Sequence, residues 1–218
     1  MLKQEALSYP VNQDSLLPKQ REIDPWESLF RRQEKGRDVL TSIEFTVSQV
    51  CNLRCEHCAV GDVLTLKDPE PAISIALLLK RLDELEHLDT LSITGGEPLY
   101  SKEMINRYII PLLKYAHERG AKTQINSNLT MHLEHYELVL PYLDVLHISY
   151  NYRDAHDFYT IAYAKHHNTI SLKQAEKTFE RLVRNVEKLA EQGAFVSAES
   201  LLTPFTYDKI GQIHHLIK

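Results

Sequence analysis

Five times along this chain, a run that reads as a strand is followed by one that reads as a helix. The strand-like runs are Ser42–Ser48, Thr90–Thr94, Lys122–Ser127, Val145–Tyr150 and Phe195–Leu201. The helical pattern after the first covers Pro71–Leu88, with Ile75, Leu78, Leu79, Leu82 and Leu85 at helical spacing. The next covers Lys102–Arg119 and stops at Gly120, and a shorter one covers Leu133–Leu140. The clearest is Leu172–Gln192, opened by the capping box Ser171-x-x-Gln174 and closed at Gly193. The last, Tyr207–Lys218, runs into the end of the sequence. Successive βα units of this kind can only be joined by crossovers, which dictate a parallel sheet. The fold class is therefore α/β.

The strands refine that class. Parallel strands covered on both faces read as continuous apolar runs. These alternate instead: Ile43, Phe45 and Val47 with Glu44, Thr46 and Ser48; Leu91 and Ile93 with Thr90, Ser92 and Thr94. The later strands put Gln124, Asn126 and Asn128, then His147, Ser149 and Asn151, then Ser197 and Glu199, on one side. One face of the sheet is apolar and covered by helices. The other is polar and must look into a wet or ligand-filled interior. The expected architecture is a sheet curved around a polar lumen, a partial (β/α) barrel of about five βα units.

Residues 1–40 stand apart as a polar lead-in broken by Pro10, Pro18 and Pro25. Asp24-Pro25-Trp26-Glu27 is a helix start, with Asp as N-cap, Pro at the first position and Glu at the third, so a short helix is expected over 25–34. Residues 41–218 form the core domain. Of the 218 residues, 43% are apolar and 25% charged, with a net charge of −5. That is globular composition, and mild acidity without a basic block gives no support to a nucleic-acid surface. The longest apolar run, Ala72–Leu79, is too short to span a membrane. The N-terminus MLKQEALSYP has no apolar signal region.

All three cysteines fall within eight residues, Cys51-Asn-Leu-Arg-Cys55-Glu-His-Cys58, directly after the first strand. An odd, tightly clustered set is a poor disulfide framework and reads as a metal or cluster site in a cytoplasmic protein. Thiolates are soft ligands that suit iron–sulfur clusters and zinc. Three leave a fourth corner open, and the cysteines alone allow a structural zinc site with His57 or another histidine completing it. The end of the second strand carries Thr94-Gly95-Gly96-Glu97-Pro98.

Together, the Cx3Cx2C loop after strand one and Gly-Gly-Glu-Pro after strand two resemble the two signatures of the radical S-adenosylmethionine (SAM) superfamily. The resemblance covers about 42–218. It implies that Cys51, Cys55 and Cys58 ligate three irons of a [4Fe–4S] cluster and that SAM chelates the fourth. Gly95, Gly96 and Glu97 would receive the SAM amino group. His57 would sit near the adenine. Asn126 and Asn128 would touch the SAM carboxylate or ribose, and Ser149 and Asn151 fall where family members often carry Ser-x-Asp. The implied reaction is reductive cleavage of SAM to a 5′-deoxyadenosyl radical acting on an unknown small-molecule or peptide substrate, with electrons from flavodoxin or ferredoxin. A non-catalytic Fe–S/SAM-binding fragment that needs a second polypeptide is the alternative.

The family core has six such units against five here. The chain is thus expected to be the N-terminal part of a longer enzyme or to need a companion chain, its fifth strand left as an open edge. It also resembles an uncharacterised subgroup whose full-length members carry a further CxCxxxxC motif, which this sequence lacks. The stretch 150–168, rich in tyrosine and histidine, is expected either to cover the SAM pocket or to form a short helix, His156–Ala164, packing its tyrosines outside the barrel.

Overall fold

The structure, a computed structural model, describes residues 41–216 apart from 66, 68–72, 166–168 and 205. The lead-in and its expected helix over 25–34 lie outside the described residues.

Five strands form one parallel sheet: β1 (Ser42–Thr46), β2 (Thr90–Thr94), β3 (Lys122–Ser127), β4 (Val145–Ser149) and β5 (Val196–Glu199). They lie side by side in chain order. A sheet that never reverses its order, with crossovers of one hand, keeps every helix on the same face. That is the arrangement of a barrel wall rather than of a doubly wound sheet, and the chain has the α/β partial-barrel fold expected of its sequence.

The helices are α1 (Ile75–Leu82), α2, α3 (Leu133–Glu137), α4 (Ala155–Ala162), α5 (Leu172–Glu191) and α6 (Ile210–Leu216). Helix α2 has three consecutive parts, Lys102–Met104, a π-helical turn Ile105–Ile109, and Ile110–Glu118. Its periodicity predicts one continuous helix. Pro111 is the reason for the interruption: it offers no N–H, and its ring crowds the carbonyl one turn back, so the preceding turn widens. Helix α1 is shorter than its apolar pattern, starting where Ser74 Oγ accepts the Leu77 N–H at 3.3 Å. Helix α5 has the expected capping box, with Ser171 and Gln174 each bonding the other's backbone. Gly120 and Gly193, at φ 74° and 85°, end α2 and α5 in the left-handed conformation that glycine adopts at least cost.

One core fills the space between sheet and helices. Leu91, Ile93, Ile125, Leu146 and Ile148 from the strands meet Ile105, Ile109, Leu112, Leu113 and Ala116 of α2 and Leu182 and Leu189 of α5. The opposite face is polar, as the alternation requires. Ser42, Glu44, Thr46, Ser149 and Glu199 are exposed, and Ser92, Gln124, Asn126, His147 and Ser197 are half-buried. Cross-strand bonds link this face, Ser92 Oγ to Glu44 at 3.5 Å and His147 Nε2 with Glu199 at 3.0 Å. Asp157 of α4 accepts from Arg153 Nε at 2.6 Å and Lys209 Nζ at 3.1 Å, joining α4 to the segment that leads into α6.

The turn after β3 needs support, because Leu129 is a fully buried non-glycine residue at φ 57°. Buried Asn185 of α5 supplies it, donating Nδ2 to the carbonyls of Leu129 (3.0 Å) and Met131 (2.8 Å). Replacing Asn185 by alanine leaves both carbonyls without that donor. Urea unfolding of Asn185→Ala is expected to show a loss of about 1–3 kcal/mol. A change of a few tenths would show that the turn holds itself.

Candidate active site

The cysteine loop leaves β1 at the carboxyl end of the sheet, where α/β folds present their chemistry. Backbone bonds to other segments hold it. Gly96 N–H donates to Ser48 O and Glu97 N–H to Val50 O, both at 2.7 Å. Thr65 N–H donates to Gln49 O at 2.9 Å. Arg54 and Glu56 donate N–H to the last carbonyls of α4, Ala162 and Ile161, at 2.9 Å each. Inside the loop, Arg54 folds its guanidinium back onto the carbonyls of Cys51 (2.6 Å) and Leu53 (2.7 Å). The middle of the Cx3C spacer thus satisfies loop carbonyls that water would otherwise take.

Gly95 and Gly96 are required by close approach. A Cβ on Gly95 would lie 2.6 Å from Ser48 O, and one on Gly96 would lie 2.3 Å from Val50 O. The neighbour that forbids a side chain is the backbone of the cysteine strand itself, so these glycines dock one signature segment against the other.

Glu97 is fully buried. Its carboxylate accepts from the N–H of Leu99 (3.1 Å), the hydroxyl of Ser127 (2.9 Å) and the N–H of Asn128 (2.8 Å). The side chain is therefore a brace between the ends of β2 and β3, and what it leaves for a ligand is backbone. Burial pushes its pKa up to about 7, against the lowering effect of its three donors.

The three thiols are half-buried and free. Burial, with Glu97 nearby, pushes Cys51 up to about 12, and burial with the neighbouring Cys51 and Cys58 does the same for Cys55. As bare thiols Cys51 and Cys55 would stay protonated, so thiolates there call for a bound cationic group. Among the described residues, no three His, Cys, Asp or Glu side chains converge on a single ion position. A group with several metal atoms, taking one thiolate each, fits this donor set, whereas one zinc held by His57 and the cysteines does not.

The other expected residues fall into two groups. Asn128 belongs with the cysteines: its Nδ2 lies 3.7 Å from Cys51 Sγ and donates to Asn52 Oδ1 at 3.1 Å. His57 and Asn151 meet each other, Nε2 and Nδ2 at 3.3 Å, and burial lowers the His57 pKa. Asn151 is fully buried, its Oδ1 taking the Leu201 N–H at 2.7 Å, so it ties the end of β4 to the segment after β5. Asn126 and Ser149 lie away from the loop's bonds on the polar sheet face, with Asn126 Oδ1 accepting from Gln124 at 2.7 Å. Sequence patterns did not point to Asn52, Thr130 or Arg54, for single polar residues in loops carry no periodic signal.

Within the described part of the stretch, 150–165, the short helix of the two expectations is present as α4. Its tyrosines turn inward. Tyr152 stacks edge-on against Phe158 at 4.8 Å and Phe158 against Tyr163 at 5.6 Å, with Tyr150 and Phe179 beside them. This aromatic block lies beneath the cysteine loop, with Tyr152 beside Cys55. The apolar payload of the rings explains the inward turn over the expected outward one.

The fold, the loop and its docked glycine segment define a radical SAM domain, and residues 45–217 match the Radical SAM superfamily model; the chain belongs to that superfamily. It is 48% identical over 202 residues to the protein YfkA of Bacillus subtilis (strain 168), covering 93% of this chain and 54% of that one. It thus spans about half the length of this curated relative. Among solved structures it resembles Streptococcus suis SuiB bound to S-adenosylmethionine, with TM-score 0.59, 17% identity, and 88% of this chain and 43% of that chain covered. It also resembles anSMEcpe with bound AdoMet, with TM-score 0.61, 15% identity, and 81% and 47% covered. These likenesses speak for the fold.

Glu97 makes a checkable prediction. A carboxyl whose folded pKa is raised contributes most below its unfolded value, near 4.5, and loses that contribution as pH rises through about 7. Glu97→Gln turns an amide N–H toward a backbone donor and is expected to cost roughly 1–3 kcal/mol. It should also abolish the fall in stability between these two pH values. Denaturant melts across that window check both, and an unchanged pH slope in the variant would refute the assignment.

Proposed function

We propose that this chain holds a [4Fe–4S] cluster on Cys51, Cys55 and Cys58 and binds SAM against Gly95, Gly96 and the Glu97 backbone. The observation that carries this reading is the donor set: three soft thiols on one pinned loop, docked on the Gly-Gly-Glu segment, with no His, Asp or Glu gathered with them around a single ion position among the described residues. When bound, such a cluster supplies the electron that cleaves SAM reductively, giving a 5′-deoxyadenosyl radical for hydrogen abstraction.

The chain's own part is geometric. The bonds from Gly96 and Glu97 to Ser48 and Val50 set the distance between thiols and SAM-binding edge. The aromatic block under the loop keeps water from that side. His57, kept neutral by burial, offers a flat ring at the rim for the adenine. Asn126 and Ser149 on the polar sheet face are placed for SAM or substrate, and the His147–Glu199 pair lies on the same face. The substrate is a small molecule or a peptide; SuiB, a structural neighbour, has been seen bound to its precursor peptide SuiA (TM-score 0.60, 17% identity, 96% of this chain and 44% of that chain covered). Electrons would come from a flavodoxin or ferredoxin, and free thiols of this kind suit the reducing cytoplasm. No described helix is long and apolar enough to cross a membrane.

A second reading, that cluster and SAM bind here but substrate turns over only with a further polypeptide, is favoured by one observation. The chain spans about half the length of YfkA. Anaerobic reconstitution with iron and sulfide, followed by dithionite and SAM, separates the two. Bound iron with 5′-deoxyadenosine supports the first reading, and bound iron without it supports the second. Cys55→Ala is expected to lose the iron and all deoxyadenosine formation. Retention of both would refute the ligand assignment.

A further inference from the structure

Asn52, Thr130 and Asn128 form a closed ring of hydrogen bonds joining the cysteine loop to the end of β3. Asn128 Nδ2 donates to Asn52 Oδ1 (3.1 Å), Asn52 Nδ2 donates to Thr130 Oγ1 (2.8 Å), and Thr130 Oγ1 donates to Asn128 Oδ1 (2.6 Å). The Thr130 N–H adds a second bond to Asn128 Oδ1 at 3.0 Å. With two donors on its oxygen, the Asn128 amide has one orientation. Its nitrogen faces Cys51 Sγ at 3.7 Å, and the Leu53 N–H approaches the same sulfur at 3.4 Å. Thr130 is buried, which shields the ring from competing water.

We propose that this ring is a positioning device that aims an amide N–H at the Cys51 sulfur and so raises the reduction potential of the cluster. The inference rests on the cluster reading above. It also reassigns Asn128, whose side chain has its oxygen saturated by Thr130 and its nitrogen shared by Asn52 and sulfur, leaving little for SAM. An N–H directed at a ligating thiolate draws electron density from it. That stabilises the more negative, reduced form, and hydrogen bonds to cluster sulfurs are among the established determinants of potential. Thr130 and Asn52 touch no ligand in this scheme and act through Asn128.

The test uses the full chain, reconstituted anaerobically, with midpoint potential read by EPR-monitored redox titration and SAM affinity measured on the same samples. Asn128→Ala keeps the backbone N–H that holds Glu97 and removes the amide. Its potential is expected to move negative while SAM affinity stays at the wild-type value. Thr130→Val keeps every group near sulfur and opens the ring by removing the hydroxyl, leaving only the backbone N–H of residue 130 on the Asn128 oxygen; a smaller negative shift is expected. If Asn128→Ala binds too little iron to titrate, Thr130→Val decides, and an unchanged potential there overturns the proposal. Loss of iron from both variants also overturns it, since the ring would then build the site rather than tune it. An unchanged potential with weakened SAM binding in Asn128→Ala returns the residue to the cofactor. Wild-type chain that takes up no iron defeats the cluster reading, and this inference with it.

Discussion

Two backbone hydrogen bonds, from Gly96 to Ser48 and from Glu97 to Val50, decide where everything else in this site can be. They join the end of β2 to the start of the cysteine loop at 2.7 Å, closer than any side chain between the two segments would allow. Because a Cβ at either glycine would overlap a carbonyl oxygen, the contact is all-or-none: the segments dock fully or are pushed apart. The loop's other connections follow from that docking. Its far side reaches the C-terminus of α4, its middle is closed by Arg54, and its near side is held by the Asn52 ring.

The fold was readable because its signals are periodic. Alternation in β1–β5 announced one polar and one apolar face, and both are present. The capping box of α5 and the two terminal glycines marked helix ends that the backbone confirms. Where reading fell short, a single residue outweighed the pattern. Pro111 opened a π-turn inside an otherwise regular helix. The apolar stripe of α1 extends past its last turn, since the capping geometry at Ser74 and Asp83, rather than apolar spacing, bounds the helix.

The candidate site was legible in a different way. Its cysteines and its Gly-Gly-Glu segment are contiguous motifs, and motifs survive in one dimension. The braces between them do not. Glu97 is legible as part of its motif, but the role of its side chain is not: its three donors come from Leu99, Ser127 and Asn128, two of which lie on another strand's end. Asn151 stands out in the sequence only by its place at the end of β4, and its oxygen accepts an N–H from beyond β5. Both are buried polar residues whose partners are brought by topology, and no local pattern encodes that.

The same dispersion governs when this site can exist during the life of the chain. Asn52 and Thr130 are 78 residues apart, Asn128 and Cys51 are 77 apart, and the carbonyls that receive Arg54 and Glu56 come later still, at the end of α4. Contacts this far apart in sequence close late, since the chain between them must first be ordered. A chain that has emerged only through β2 lacks the β3 and α4 partners of the cysteine loop. The folded form of the loop therefore belongs after synthesis has passed α4, when all of its partners exist.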